Sequence, residues 1–257
     1  MIIDAHSHVH DPVDQHIALL DEAGVDRAVL FMTRPHPERA ANLAELRTEM
    51  DLLHKALAGQ GESGRETARH ELDATLTTHP DRFIGFGSLP LNDPDIGALV
   101  QHDIVDRGLH GIGELTPPPG EAALLEPVLR AASDHPGLPV VVHGAAPTTA
   151  ADLRTLATLA HRHPQVPVVI SQLGGPHWMQ AIDLARQTPN LYLELSTTPI
   201  IFAIRLAITE LPDRTLYGSD APYGDPLLTR LAIERTTPSL QIRTLVLGET
   251  AHHLFRL

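Results

Sequence analysis

Short apolar runs rich in Val, Ile and Leu alternate along this chain with stretches whose apolar residues recur at three- and four-residue spacing. The first pattern predicts buried strands and the second predicts helices that cover them. Strands are predicted over residues 2–8, 27–32, 83–89, 111–115, 139–143, 166–172, 191–195 and 215–220. Helical stripes fall between them, as in Leu125, Val128, Leu129 and Ala132, and again in Trp178, Ala181, Ile182 and Ala185. Pro and Gly punctuate the entries to several strands, at His79-Pro80, Gly137-Leu138-Pro139 and Gln165-Val166-Pro167. Repeated strand–helix alternation over 257 residues predicts an α/β fold, a (β/α)8 TIM-like barrel occupying residues 1–257 as a single domain. A doubly wound open sheet is the alternative, but no Gly-rich dinucleotide loop follows the first strand.

One connection is oversized. Between strands two and three, Leu43, Leu46, Met50 and Leu53 predict a long helix, residues 59–64 break it, and a second helix runs to Thr78. This is read as a helical excursion packed on the barrel. The loop Thr33-Arg34-Pro35-His36-Pro37 leaves strand two at the end where barrels carry their active sites, so Arg34 and His36 are candidate substrate contacts.

The polar residues at the strand ends carry the candidate chemistry. Strand one ends in His6-Ser7-His8. Residues two apart on a strand share a face, so the two imidazoles project together as a pair of metal ligands. The same spacing at His161 and His163 ends a helical stripe that opens with a capping box at Thr149 and Asp152. On a helix, positions two apart diverge, so these two are read as surface residues. Strand four ends at Glu114, strand five at His143, strand six at Gln172 and strand eight at Asp220. In a parallel barrel these ends meet at one mouth, and two histidines, a glutamate, a third histidine and an aspartate around one space are a metal-binding set by donor type. Asp4 shares strand parity with His6 and His8 and is read as a buried acceptor, able to orient a ligand histidine. Thr116, Trp178 and Tyr223 lie just after strands or in mouth loops and are candidate substrate contacts, although Trp178 also belongs to a helical stripe.

Composition narrows the partners. Lys and Arg total 19 against 32 Asp and Glu, a formal charge of -13, which argues against a nucleic-acid or anionic membrane partner. There are no cysteines, so disulfide and thiol chemistry are excluded. No apolar stretch approaches the length of a membrane span. The first strand begins at residue 2 without a preceding signal-type segment, and a cytoplasmic location is expected.

The opening Ile3-Asp4-Ala5-His6-Ser7-His8 resembles the first-strand motif of the amidohydrolase superfamily, in its amidohydrolase-related (amidohydrolase 2) branch. Pro80-Asp81-Arg82-Phe83-Ile84-Gly85, Leu173-Gly174-Gly175, Tyr217-Gly218-Ser219-Asp220-Ala221-Pro222-Tyr223 and the closing Gly248-Glu249-Thr250-Ala251-His252-His253-Leu254-Phe255 are similar to that family as well, and in its order. The resemblance implies that His6 and His8 bind a metal and that Asp220 binds or adjoins it and shuttles a proton. It implies that His143 is a ligand or polarises the substrate, and that Glu114 stands where some relatives use a bridging glutamate. No lysine lies on strand four, so a carbamylated-lysine bridge is excluded there. Relatives usually place a histidine where this chain has Gln172, a poorer ligand; His177 is a substitute from the following loop. One divalent ion is therefore expected, zinc first with manganese or iron as alternatives, and a second ion is optional. The resemblance also implies a homodimer or larger assembly.

The expected activity is metal-dependent hydrolysis of a C–N or C–O bond (amide, lactam, lactone or ester) in a small molecule, with Asp220 moving the water proton. The alternative is a metal-dependent decarboxylase of an unsaturated or aromatic carboxylate, with Arg34 as a cation for the carboxylate. A nucleoside-deaminase-like activity fits less well, because His143-Gly144-Ala145-Ala146 lacks a glutamate three residues after the histidine. A binding-only barrel is the remaining alternative, supported by Gln172.

Overall fold

Two of the strands are almost pure β-branched sequence, Val-Val-Val over Val140–Val142 and Val-Val-Ile over Val168–Ile170, and all six residues are buried. That composition belongs to parallel strands covered on both faces. The computed structural model describes residues 1–57 and 64–257. Its strands are β1 (Ile3–His8), β2 (Arg27–Phe31), β3 (Phe83–Gly87), β4 (Gly111–Leu115), β5 (Val140–Val142), β6 (Val168–Ile170), β7 (Leu191–Glu194) and β8 (Thr215–Leu216). They form one eight-stranded sheet in chain order, every pair parallel. The segment after β8 returns to β1: Ala5 N donates to Tyr217 O at 2.9 Å and His8 N to Ala221 O at 2.8 Å. The sheet is thereby a nearly closed (β/α)8 barrel, as the sequence pattern predicts.

The covering helices are α1 (Val13–Glu22), α2 (Leu43–Leu57), α3 (Arg65–Thr78), α4 (Ile96–Leu99), α5 (Glu126–Ser133), α6 (Ala150–Arg162), α7 (Trp178–Gln187), α8 (Ile201–Glu210), α9 (Pro226–Thr236), α10 (Leu240–Thr244) and α11 (Thr250–Phe255). Alternate strand residues point inward, and Ile3, Ala5, Val29, Phe31, Ile84, Phe86, Val141, Val169 and Leu216 fill the barrel. Ala251, Leu254 and Phe255 of α11 join that cluster. The opposite strand faces pack against the helices, with Leu125, Val128, Leu129 and Ala132 among the buried contacts. The capping box of Thr149 and Asp152 starts α6 as expected. His161 is exposed, but His163 turns in at the C-cap, its Nδ1 3.1 Å from Ser133 Oγ, so it is not a surface residue.

The excursion between β2 and β3 consists of α2 and α3. Ala68 and Leu72 of α3 are buried, whereas no described side chain of α2 is. The expected break at 59–64 lies, except for Gly64, outside the described residues. Among those residues no helix is long and apolar enough to cross a membrane.

Two irregularities decide what faces the barrel mouth. The β1–β2 register shifts between Asp4 and Ser7, and the β4–β5 register shifts between Ile112 and Leu115. An extra residue in a strand re-aims the side chains beyond it. Ile3 and Ala5 face the interior, and past the shift so do His6 and His8, whose rings lie 4.8 and 6.0 Å from Phe31. Ile112 and Leu115 both pack outward although three apart, which turns Glu114 inward. Gly113 permits this: φ is 150°, and a Cβ would meet Val141 Cβ at 2.9 Å.

Candidate metal centre

His6 and His8 stand side by side at the end of β1 with ring centroids 5.4 Å apart. Asp220, just beyond β8, reaches both: its Oδ1 is 3.4 Å from His6 Nε2 and 3.2 Å from His8 Nε2. One ligand atom from each of the three lies within 4.8 Å of the others, and this is the one such group among the described residues. His6 Nε2 and His8 Nδ1 are buried without a hydrogen-bond partner. An unsatisfied buried polar atom costs about 1–3 kcal/mol, so such atoms call for a partner. Two imidazoles and a carboxylate with an unpaired nitrogen aimed into the cluster fit a divalent transition ion. The local field points the same way. Burial alone would disfavour a charge on His6, but Glu114, Asp220 and Glu194 outweigh it and push its pKa up to about 10.

Glu114 and His143 form a second pair beside this cluster. Glu114 Oε2 is 3.8 Å from His6 Nε2, while its Oε1 accepts from His143 Nδ1 at 3.1 Å, Ser171 Oγ at 2.5 Å and Gln172 Nε2 at 3.2 Å. Burial opposes its ionisation, yet His143 and His6 hold the carboxyl well below the usual carboxylate range. The same contact with Glu114 raises the His143 pKa against the effect of burial. His143 Nε2 is 3.0 Å from Ala146 O, so both ring nitrogens of His143 are already engaged within the protein.

Gln172 takes the place where the sequence resemblance leads one to expect a histidine. Its Oε1 accepts from Gly144 N at 3.0 Å and Ala145 N at 3.3 Å. Two backbone donors fix the amide oxygen, so the NH2 group faces the carboxylates, donating to Glu114 and, at 3.3 Å, to Asp220 Oδ2. Strand six is shorter than expected because the chain turns left-handed beyond it, with φ of 50° at Gln172 and 52° at Leu173. Asp220 has φ 59°. Non-glycine residues in this region carry strain of about 1–3 kcal/mol, and such strain gathers at functional sites.

Glu194 is absent from the sequence-derived set. It ends β7, is 1% exposed, and its Oε2 lies 3.1 Å from His6 Nδ1. The signal was a lone carboxylate in the apolar run Leu191-Tyr192-Leu193-Glu194-Leu195, because Glu is almost never fully buried unless paired. Asp4, by contrast, does not touch an imidazole. The register shift separates it from the face of His6, and it accepts instead from His6 N at 3.1 Å, Ser219 N at 2.9 Å and Ser219 Oγ at 2.5 Å, tying β1 to the β8 loop. Burial pushes its pKa up to about 7.

The mouth residues divide. Tyr223 stands edge-on to His8 at 5.7 Å and its buried hydroxyl has no hydrogen-bond partner. Trp178 packs on Phe202 at 5.7 Å, which is helix packing rather than a substrate contact. His36 is held by Glu38 at 3.0 Å and Glu71 at 3.2 Å. Arg34 lies alongside Gly64, and Thr116 is half-buried beyond β4. His177 caps α7, half-buried, and makes no hydrogen bond or ion pair with the cluster, so it does not replace the missing strand-six histidine. Two cavities of about 500 and 480 Å³ lie against α11, away from this cluster, and carry none of these residues.

A sequence profile described as amidohydrolase matches residues 3–257. The chain belongs to the amidohydrolase family. No curated protein matches it. Among solved structures it is similar to 2,6-dihydroxybenzoate decarboxylase from Rhizobium (16% identity, 99% of this chain and 98% of that one, TM-score 0.70). It is also similar to 5-carboxyvanillate decarboxylase from Sphingomonas paucimobilis (18%, 100% and 99%, TM-score 0.71). A third is a dihydroxybenzoic acid decarboxylase from Polaromonas with bound manganese and 2-nitroresorcinol (17%, 100% and 97%, TM-score 0.70). At these identities the likeness establishes the shared fold. The comparison nevertheless corrects the expectation of hydrolysis, since these neighbours are decarboxylases of aromatic carboxylates. The expectation of hydrolysis leaned on Glu114, whose Oε1 accepts from His143, Ser171 and Gln172 while its Oε2 faces His6 Nε2 at 3.8 Å. The preference for zinc has no support either, because the ion in the Polaromonas structure is manganese.

Proposed function

We propose that this protein is a decarboxylase of an aromatic or similarly unsaturated carboxylate, dependent on one divalent metal ion. The observation that carries this reading is the Gln172 amide, which fills the strand-six position and donates to both Glu114 and Asp220. A second ion between those carboxylates would have to displace it, so a two-ion bridged hydroxide is disfavoured and one ion on His6, His8 and Asp220 remains. Manganese takes precedence over zinc, in keeping with the neighbouring decarboxylases.

An ion held by His6, His8 and Asp220 would supply fixed positive charge for a substrate carboxylate. Loss of carbon dioxide leaves an electron pair on the ring carbon, which must take up a proton. Asp220 is placed to take the proton that a substrate hydroxyl gives up on binding and to pass it to that carbon, while Gln172 Nε2 steadies its Oδ2. The Glu114 carboxylate 3.1 Å from His143 Nδ1 favours positive charge on that ring at the mouth. Tyr223 borders the imidazole pair and offers a ring surface to a planar substrate.

The test is incubation of the manganese-loaded protein with 2,6-dihydroxybenzoate, 5-carboxyvanillate and related hydroxybenzoates in deuterated water. Carbon dioxide release with one deuterium at the vacated carbon is expected. Metal-loaded protein that releases none from a broad panel of aromatic carboxylates overturns the reading.

A further inference from the structure

We infer that Glu194 is a positioning residue that selects the metal-binding tautomer of His6. This rests on the metal reading above and concerns the last residue of β7, remote in sequence from every proposed ligand. Glu194 Oε2 lies 3.1 Å from His6 Nδ1. The same oxygen accepts from Ser196 Oγ at 2.8 Å and Gln172 N at 3.1 Å, and Oε1 accepts from Ser196 N. Donors converge on both oxygens, which is the environment of a carboxylate acting only as acceptor. Its partner on the ring must therefore be an N–H. With a metal bound, that keeps the hydrogen on Nδ1 and gives the metal Nε2, the nitrogen that makes no hydrogen bond and faces Asp220.

The carboxylate occupies a built socket. A Cβ on Gly218 would collide with Glu194 Oε1 and come within 2.9 Å of His6 Cβ, so the bare glycine backbone is what lets β7 and β1 bring the two side chains together. Through Gln172 N, the same carboxylate also fixes the turn that presents the Gln172 amide. One buried group thus sets the orientation of the strand-one ligand and of the strand-six residue that excludes a second ion.

The test is manganese affinity of the full-length protein, read by titration calorimetry, for wild type, Glu194→Gln and Ser196→Ala. The tautomer of His6 is read separately by long-range ¹H–¹⁵N correlation in the zinc-loaded wild type. Affinity is expected to fall about 10- to 100-fold in E194Q, the size typical of removing an acceptor behind a ligand histidine. S196A, which keeps the Glu194–His6 contact, is expected to stay within about threefold of wild type, well inside that effect. The ring of His6 is expected to carry Nδ1–H with Nε2 on the metal. Folded E194Q with wild-type affinity overturns the proposal alone, as does metal bound through Nδ1 in wild type, a measurement that stands even if E194Q fails to fold. Wild type that binds no divalent ion overturns the metal reading and this proposal together.

Discussion

Gln172 donates its Nε2 to Glu114 Oε1 at 3.2 Å, a bond that joins the end of β6 to the end of β4 across the barrel mouth. It turns a position that would suit a metal-binding imidazole into a clasp between protein groups. Replacing the amide should release the clasp. In Gln172→His the ring tolerates the left-handed backbone better than a bulky apolar residue would. It would offer a nitrogen to the carboxylates, so bound metal is expected to rise from about one toward about two ions per chain. Elemental analysis after dialysis against manganese checks this, and a stoichiometry unchanged from wild type would show that Gln172 does not limit the site to one ion.

The imidazole pair should be indispensable for metal retention. His6→Ala/His8→Ala removes two of the three clustered donors and leaves Asp220 alone. Bound metal is expected to fall from about one per chain to about a tenth or less, since a single carboxylate holds such ions weakly. Far-UV circular dichroism on the same samples shows whether the barrel persists, and a folded double variant that still holds its metal would relocate the site.

Asp220→Asn keeps the shape and one oxygen but cannot deliver a proton. At saturating manganese, carbon dioxide release is expected to drop by about 10²- to 10⁴-fold, the range for loss of a general acid. Measuring at several manganese concentrations separates weaker metal binding from slower chemistry. Turnover above about a tenth of wild type at saturation would remove Asp220 from the proton step, which should cost far more.

Gly218→Ala should damage the centre without touching a donor. The added Cβ meets Glu194 Oε1 and His6 Cβ. Overpacking of this kind costs about 1–3 kcal/mol of stability. Chemical denaturation should reveal that loss, and manganese affinity should weaken in parallel. Unchanged stability and affinity together would mean that the loop after β8 can shift without cost.

Acid stability offers an independent check on the packing behind β1. His16 and His10 are buried and stacked at 4.0 Å, and His16 Nε2 lies 2.8 Å from Ser7 Oγ. Burial lowers the pKa of His10 to about 4 and that of His16 well below the ordinary histidine value. Below about pH 6.5 the unfolded chain takes up these protons and the native one does not, so both residues reduce stability as pH falls toward about 4. Asp4 works in the opposite sense over an overlapping range, because its carboxyl stays protonated in the native state up to about 7. The His16 contribution is isolated by His16→Gln, compared with wild type in EDTA. The variant loses packing at pH 7, and its deficit should narrow by up to about 1 kcal/mol for each pH unit below 6.5. A deficit that stays constant from pH 7 to 4.5 would show that His16 accepts a proton in the native state.

The alternation of β-rich runs and helical stripes determined the barrel, because a strand buried on both faces and a helix buried on one face leave distinct periodicities in the chain. The same pattern placed His6, His8 and Asp220 at strand ends, and the structure brings those three together. Several decisive features were beyond that kind of inference. The register shifts in β1 and β4, which part Asp4 from His6 and swing Glu114 inward, depend on how neighbouring strands pair. Periodicity within one strand carries no record of that pairing. Glu194 reaches His6 across 188 positions of sequence, and the side-chain donors that satisfy Glu114 come from β4's neighbours and the turn beyond β6. Sequence determined which donors this protein owns and on which strands they sit. Whether a donor is left open for a metal or is already satisfied by another side chain was decided by the closing of the barrel, because only there do distant strand ends come within hydrogen-bonding reach.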